Sequence, residues 1–302
     1  MRLAIVLAIV GLATPVAAQT TRPLSAGWTM HERIGISGIQ DIGCGRDVAF
    51  ARDWTGQVAR WDGSGWSTLP RRTESMYGRT LGVTPEGSLF LESRGGVAQW
   101  TGSSWIDHRL DAWEGELDSG FAPISSSEVY YAGRGRIARF DGRVFTTYGA
   151  STWRQLTTIA LAGDDLLVGG QGGTILRFHD GRFTREDTGI DSTILDLVVL
   201  APDDVWARAE GATYRESIVL HWDGHAWSRR DTPGPIDAIG GAAGAVYASS
   251  DRGLERWSGT GWTLEIPHAD LGAGYHSLAE ICATDHQILV ADAGGHALVR
   301  AR

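Results

Sequence analysis

The chain has 302 residues, a formal charge of −9 and 27 strong bases, all of them arginine; lysine and asparagine are both absent. Without lysine there is no Schiff-base chemistry, and without asparagine there is no N-glycosylation acceptor. The negative balance argues against sequence-independent binding to phosphate backbones and suits a soluble monomer.

The first element is a leader. Arg2 precedes an apolar run from Leu3 to Ala13, followed by Thr14-Pro15-Val16-Ala17-Ala18-Gln19. A short positive start, an apolar core and small residues before a cut describe a secretory signal peptide over residues 1–18, cleaved after Ala18. A membrane anchor is the alternative, but a span needs about 20 apolar residues. Later segments are too short for membrane insertion, so export to the periplasm or the exterior is expected. Residues 19–302 then form one mature domain.

Six units follow, each with an aliphatic strand ending in an aromatic, a polar-glycine turn and a second aromatic five residues after the first. The pairs are Trp61/Trp66, Trp100/Trp105, Phe140/Phe145, Phe178/Phe183, Trp222/Trp227 and Trp257/Trp262. Alternating strands around Asp-Gly, Ser-Gly or Thr-Gly read as β-hairpins. First aromatics are spaced 39, 40, 38, 44 and 35 residues apart, and a period near 40 suits a four-stranded propeller blade. Two upstream strands complete each unit, as in Ile194–Leu200 and Val205–Ala209 around Asp203-Asp204. The C-terminal stretches Leu278–Cys282, Gln287–Ala291 and Ala297–Arg300 supply three strands of a seventh unit. Gly27-Trp28-Thr29-Met30 resembles the fourth strands Gly65-Trp66-Ser67-Thr68 and Gly261-Trp262-Thr263-Leu264. The expected fold is all-β: a seven-bladed β-propeller of four-stranded antiparallel blades, its ring closed by the N-terminal strand completing the last blade. Closure removes sheet edges that invite aggregation.

Trp61-Asp62 and Trp222-Asp223 stand where WD40 blades carry their Trp-Asp pair, although the upstream Gly-His of that family is missing. Together with Asp204-Val205-Trp206 and His221-Trp222-Asp223-Gly224-His225-Ala226-Trp227, these blades resemble the divergent WD40- and YVTN-like repeats of exported bacterial propellers. The resemblance spans the mature chain. It implies a fold and leaves activity open.

Residues outside the repeat carry the site candidates. In a propeller, the loops between blades share a face with the turns joining second and third strands. Trp54, Tyr77, Trp113, Trp153, Arg154 and His276 fall on that face, with Arg71, Arg72, Arg94, Arg134, His268 and Asp292 around them. Aromatics beside arginines and carboxylates suit a glycan or peptide; a solvated rim is the plainer reading. The repeated aromatics are read as blade-to-blade packing. Nine histidines show no ligand spacing, so no metal and no cofactor are assigned, and no catalytic motif is present. Cys44 and Cys282 each lie 17 residues before Trp61 and Val299, which places them in blades that adjoin only if the ring closes. An even cysteine count in an exported chain points to a disulfide there, although equivalent side chains point the same way about the axis. The expected function is non-enzymatic binding or scaffolding of a glycan or protein ligand through the loop-rich face. A carbohydrate-acting glycosidase or lyase, or a lectin with one sugar pocket per blade, are the alternatives. A single deep pocket with perturbed carboxylates would favour the enzyme, and several equivalent sugar sites the lectin.

Overall fold

The computed structural model describes residues 14–15, 19–72, 80–93, 96–109, 120–150, 152–213, 216–242, 244–271 and 278–302. Alternation of apolar and polar residues, broken by turns, yields seven antiparallel sheets. Blade 1 runs outward from Ile39–Cys44 through Ala49–Asp53 and Val58–Trp61 to Trp66–Thr68. Blade 2 starts at Leu81–Val83, blade 3 at Phe121–Ser125, blade 4 at Leu156–Ala162, blade 5 at Ile194–Ala201 and blade 6 at Ile236–Ala242. Blade 7 combines Leu278–Ala283, Gln287–Asp292 and His296–Ala301 with Thr29–Glu32 from the other end of the chain. The joining register is Thr29↔Val299, Met30↔Leu298 and His31↔Ala297. The expected closure is therefore present, with Trp28 and Met30 almost wholly buried.

The hairpin turns follow from their residues. Asp62, Asp141 and Asp223 each accept backbone N–H bonds from the residues two and three ahead. The next residue must take a left-handed conformation, and glycine does so at Gly63, Gly142 and Gly224, with φ of 95°, 91° and 90°.

Packing between blades repeats one contact, in which a second-strand side chain meets the first aromatic of the following blade. Phe50 and Trp100, Phe90 and Phe140, and Leu167 and Trp222 share core clusters. Tyr130 meets Phe178 at 6.3 Å and Trp206 meets Trp257 at 5.3 Å. Second aromatics add ties toward the preceding blade: Trp105 Nε1 donates to the Pro70 carbonyl, Trp227 Nε1 to Glu186 and Trp262 Nε1 to the Asp231 carbonyl. The repeated tryptophans thus serve packing, as their periodicity implied.

Blade 7 corrects one equivalence. Val299 pairs with Thr29 and Arg300 with Ile288, so Arg300, not Val299, stands opposite Trp28 in the first-aromatic position. Its guanidinium lies 4.6 Å from the Trp28 ring and 5.6 Å from that of Tyr247, and Nη1 reaches Glu265 at 2.6 Å. A cation over two aromatic faces replaces the missing aromatic. The same one-residue shift settles the cysteines. Cys44 pairs with Ala49, the partner of Trp61, whereas Cys282 pairs with Leu289, the partner of Val299. The two cysteines lie one register apart, and side chains alternate along a strand. They therefore project toward each other across the seam and form a disulfide, with Cα atoms 5.7 Å apart and 238 residues between them in sequence.

The N-terminal segment also straps the seam from outside, which the repeat did not announce. Thr20–Pro23 adds a fifth strand to blade 7, and Thr14–Pro15 pairs with Ser67 and Thr68 of blade 1. Replacing both cysteines by serine is expected to cost about 2–4 kcal/mol, because so long a loop loses its covalent constraint in the unfolded chain. Calorimetry with and without reductant measures it; equal midpoints would show that strand pairing alone holds the ring.

Candidate functional site

The innermost strands surround an axial channel of about 700 Å³. In five blades, 1 and 4 through 7, the inner strand is shifted by a β-bulge two residues from its start. A bulge re-aims the side chains beside it, and the residues just past it stand at one level of the ring: Asp41, Thr158, Asp196 and Glu280 line the channel there, and Ala238 is buried at the same register. In blades 2 and 3 the same level is reached at Thr80 and Gly120, whose carbonyls accept from Glu92 and Ala132. Three carboxyls thus meet a neutral remainder near the loop-rich end, while the disulfide lies toward the other.

Their environments differ. Asp196 is matched by Arg208 Nε at 2.5 Å. Asp41 accepts the Leu81 N–H at 2.6 Å, yet burial pushes it up to about 7, against the lowering influence of that hydrogen bond, of Arg52 and of the Ile42 N–H. Asp41 retains some accessible surface, but it faces the narrow channel rather than bulk water, so desolvation still dominates. Glu280 is raised well above the ordinary carboxyl range by burial first, then by the negative charges of Asp41 and Asp196, with Arg208 opposing. No described residue donates a hydrogen bond to Glu280. Behind Asp41, Arg52 is 2% exposed, and its Nε and Nη1 have no hydrogen-bond partner among the described residues. Asp41 and Glu280 consequently titrate as a pair that retains a proton near neutrality.

The residues expected on the loop-rich face divide into separate patches. Trp54 is 68% exposed in the turn after Asp53, beside Gly38. Trp153, 79% exposed, lies between blades 3 and 4, where Arg154 stacks at 5.9 Å and reaches Asp191 at 3.4 Å. Trp54 shares no ring contact, hydrogen bond or ion pair with Trp153 or Arg154. Tyr77, Trp113 and His276 lie outside the described residues. His286 faces Asp47 at 3.4 Å from the turn after Ala283, whereas His296 bonds Asp292 at 2.7 Å from the opposite end of the blade. His286 and His296 therefore do not converge.

Beside Trp54 lies an open groove of about 550 Å³, formed by Arg33, Gly35, Ile36, Ser37, Asp53, Thr55, Gln57 and Arg71. Asp53 is buried and spent on the loop, accepting from the Ser37, Thr55 and Gln57 backbones and the Thr55 hydroxyl. Clefts between blades 1 and 2 and between blades 3 and 4 are lined at matching positions, Phe50, Arg60 and Trp100 in one and Tyr130, Arg139 and Phe178 in the other.

The fold and its central cavity define a seven-bladed β-propeller with a carboxyl-bearing channel. No family model and no curated protein matches the chain. Among solved structures it is similar to an inactive virginiamycin B lyase from Staphylococcus aureus with quinupristin, at 13% identity and a TM-score of 0.73, covering 94% of this chain and 99% of that one. It is similar also to YCF48 bound to D1 peptide, at 13% identity and a TM-score of 0.72, covering 94% and 100%. BamB from Moraxella catarrhalis matches at 12% identity and a TM-score of 0.58, covering 100% and 99%. At these identities the likeness is one of fold.

Proposed function

We propose that the chain is an exported, non-enzymatic binding module that takes a protein ligand on its loop-rich face, with a basic group of the ligand seated at the channel level of Asp41 and Glu280. One observation carries this: two adjoining carboxyls share a buried level where, among the described residues, the nearby cations are Arg208, engaged by Asp196, and Arg52, which offsets the burial of Asp41 only in part. Near neutral pH the pair keeps a proton because both charges together are too costly in so dry a place. A guanidinium or ammonium from the ligand replaces that proton. The disulfide supports an oxidising compartment, and cleavage after Ala18 would remove Thr14–Pro15 while leaving Gln19, whose carboxamide bonds both backbone groups of Trp66.

Calorimetric titration with a blocked tri-arginine peptide tests the reading. Affinity is expected to rise from pH 6 to pH 8, with proton release, and to fall about tenfold in Glu280→Gln, the loss of one charge-assisted contact. Equal binding of tri-arginine and tri-glutamate, or an unchanged Glu280→Gln, would refute it. The enzyme reading draws on the same pair, since a carboxyl titrating near 7 suits general acid–base chemistry. Turnover of aryl glycosides that disappears in Glu280→Gln would favour it over binding.

A further inference from the structure

We infer that the groove at the join of blades 7 and 1 is a second binding surface, separate from the channel, that takes an extended acidic peptide segment carrying apolar side chains. Its floor is already satisfied: Asp53 is saturated by loop N–H groups, and Gln57 Nε2 donates to the Leu69 carbonyl at 2.8 Å. The charged groups left to a ligand are the guanidiniums of Arg33 and Arg71. Both are exposed, and neither makes a hydrogen bond or ion pair to a described residue. In a chain of charge −9, two unengaged arginines on one groove select for carboxylates.

The backbone supports a purpose for Arg33. The loop from Arg33 to Gly38 uses three left-handed residues, at φ of 56°, 93° and 77°. Two of them, Gly35 and Gly38, are the residue that takes this conformation without strain. The third is arginine, which the conformation disfavours. Strain retained where glycine would relieve it is a mark of functional sites. Trp54, 68% exposed, and the half-buried Ile36 border the same loop. An exposed indole beside free guanidiniums suits a chain alternating acidic and apolar side chains better than a bare anion.

The inference holds whether or not a basic group enters the channel. The probe is a blocked hexapeptide of alternating glutamate and leucine, titrated calorimetrically against the intact protein. Binding is expected to weaken about tenfold in Arg33→Gly and similarly in Arg71→Gln, by loss of one charge-assisted contact each. It should persist in Glu280→Gln, which separates this surface from the channel. Arg33→Gly should also melt no lower than the parent, because glycine relieves the left-handed position; this excludes unfolding as the cause of lost affinity. Equal binding of a lysine–leucine hexapeptide, or parental affinity in Arg33→Gly, would overturn the assignment. Displacement of the peptide by millimolar inorganic phosphate would overturn it too, reducing the groove to a simple anion site.

Discussion

A chain beginning at Ile34 is expected to lose cooperative folding, and Trp28→Ala alone should cost about 3–5 kcal/mol, the range for emptying a buried tryptophan site. Trp28 is 1% exposed, packs edge-on against Tyr247 at 6.4 Å, donates through Nε1 to Glu265 at 3.0 Å and lies under the Arg300 guanidinium. Truncation also removes Met30, unpairs the outer edge of His296–Ala301 and cuts the Arg22 and Ser25 contacts to the Asp270 and Glu265 carbonyls. Together these losses approach the whole net stability of a typical domain, about 5–15 kcal/mol. For a chain of this size, the single substitution should lower the midpoint by roughly 10 °C, at about 2–4 °C per kcal/mol. Near-UV circular dichroism and size exclusion would show the truncated chain aggregated. A soluble, monomeric truncation with the parental midpoint would mean that the ring does not depend on the N-terminal strand.

The repeat made the architecture legible because each blade needs the same aromatic in the same contact with its neighbour. The exception, Arg300, hid the register of blade 7 because it fills an aromatic position with a cation. That one-residue misalignment made Cys44 and Cys282 look symmetric, when their asymmetry is what lets them meet. The channel acids are legible in the sequence as well. Ile39-Gln40-Asp41-Ile42, Ile194-Leu195-Asp196-Leu197 and Leu278-Ala279-Glu280-Ile281 each place an acid in an otherwise apolar innermost strand. Just past the bulge a carboxyl stands in three of seven units, and Asp237 adds a fourth acid to the inner strand of blade 6; repetition does not explain these charges. Arg33 gave no such sign, since its left-handed backbone depends on how the loop closes over Asp53. Trp153 and Arg154 stand in the connection between blades 3 and 4, and the number of blades separating them from Trp54 follows from ring geometry rather than residue type.

Asp41→Asn is expected to make the protein more stable at pH 8 than the parent and to flatten its stability between pH 4 and pH 7. The Asp41 carboxyl titrates at about 7 in the folded state, against 3.8 as its ordinary value. A raised carboxyl means that the folded chain holds a proton the unfolded chain has released. Its contribution is therefore full below about pH 4 and is lost as pH rises through about 7. At 1.36 kcal/mol per unit, the loss is at most about 4 kcal/mol, and channel water reduces it to about 1–3 kcal/mol. The turn carboxyls act at the other end: Asp62, Asp165 and Asp223 are held below their ordinary value, in part by N–H or arginine donors, and lose their contribution only as pH falls through those lowered values. His296 is raised first by its bond to Asp292, while His31 and His108 are lowered by burial. Subtracting the Asp41→Asn curve from the parental one cancels all three histidines. Glu280→Gln should act in the same direction by relieving like-charge repulsion. Chemical denaturation across pH 4–8 reads both variants. Parallel curves for the parent and Asp41→Asn would mean that the channel carboxyls are fully solvated and ionised, and the shared proton on which cation exchange depends would not exist.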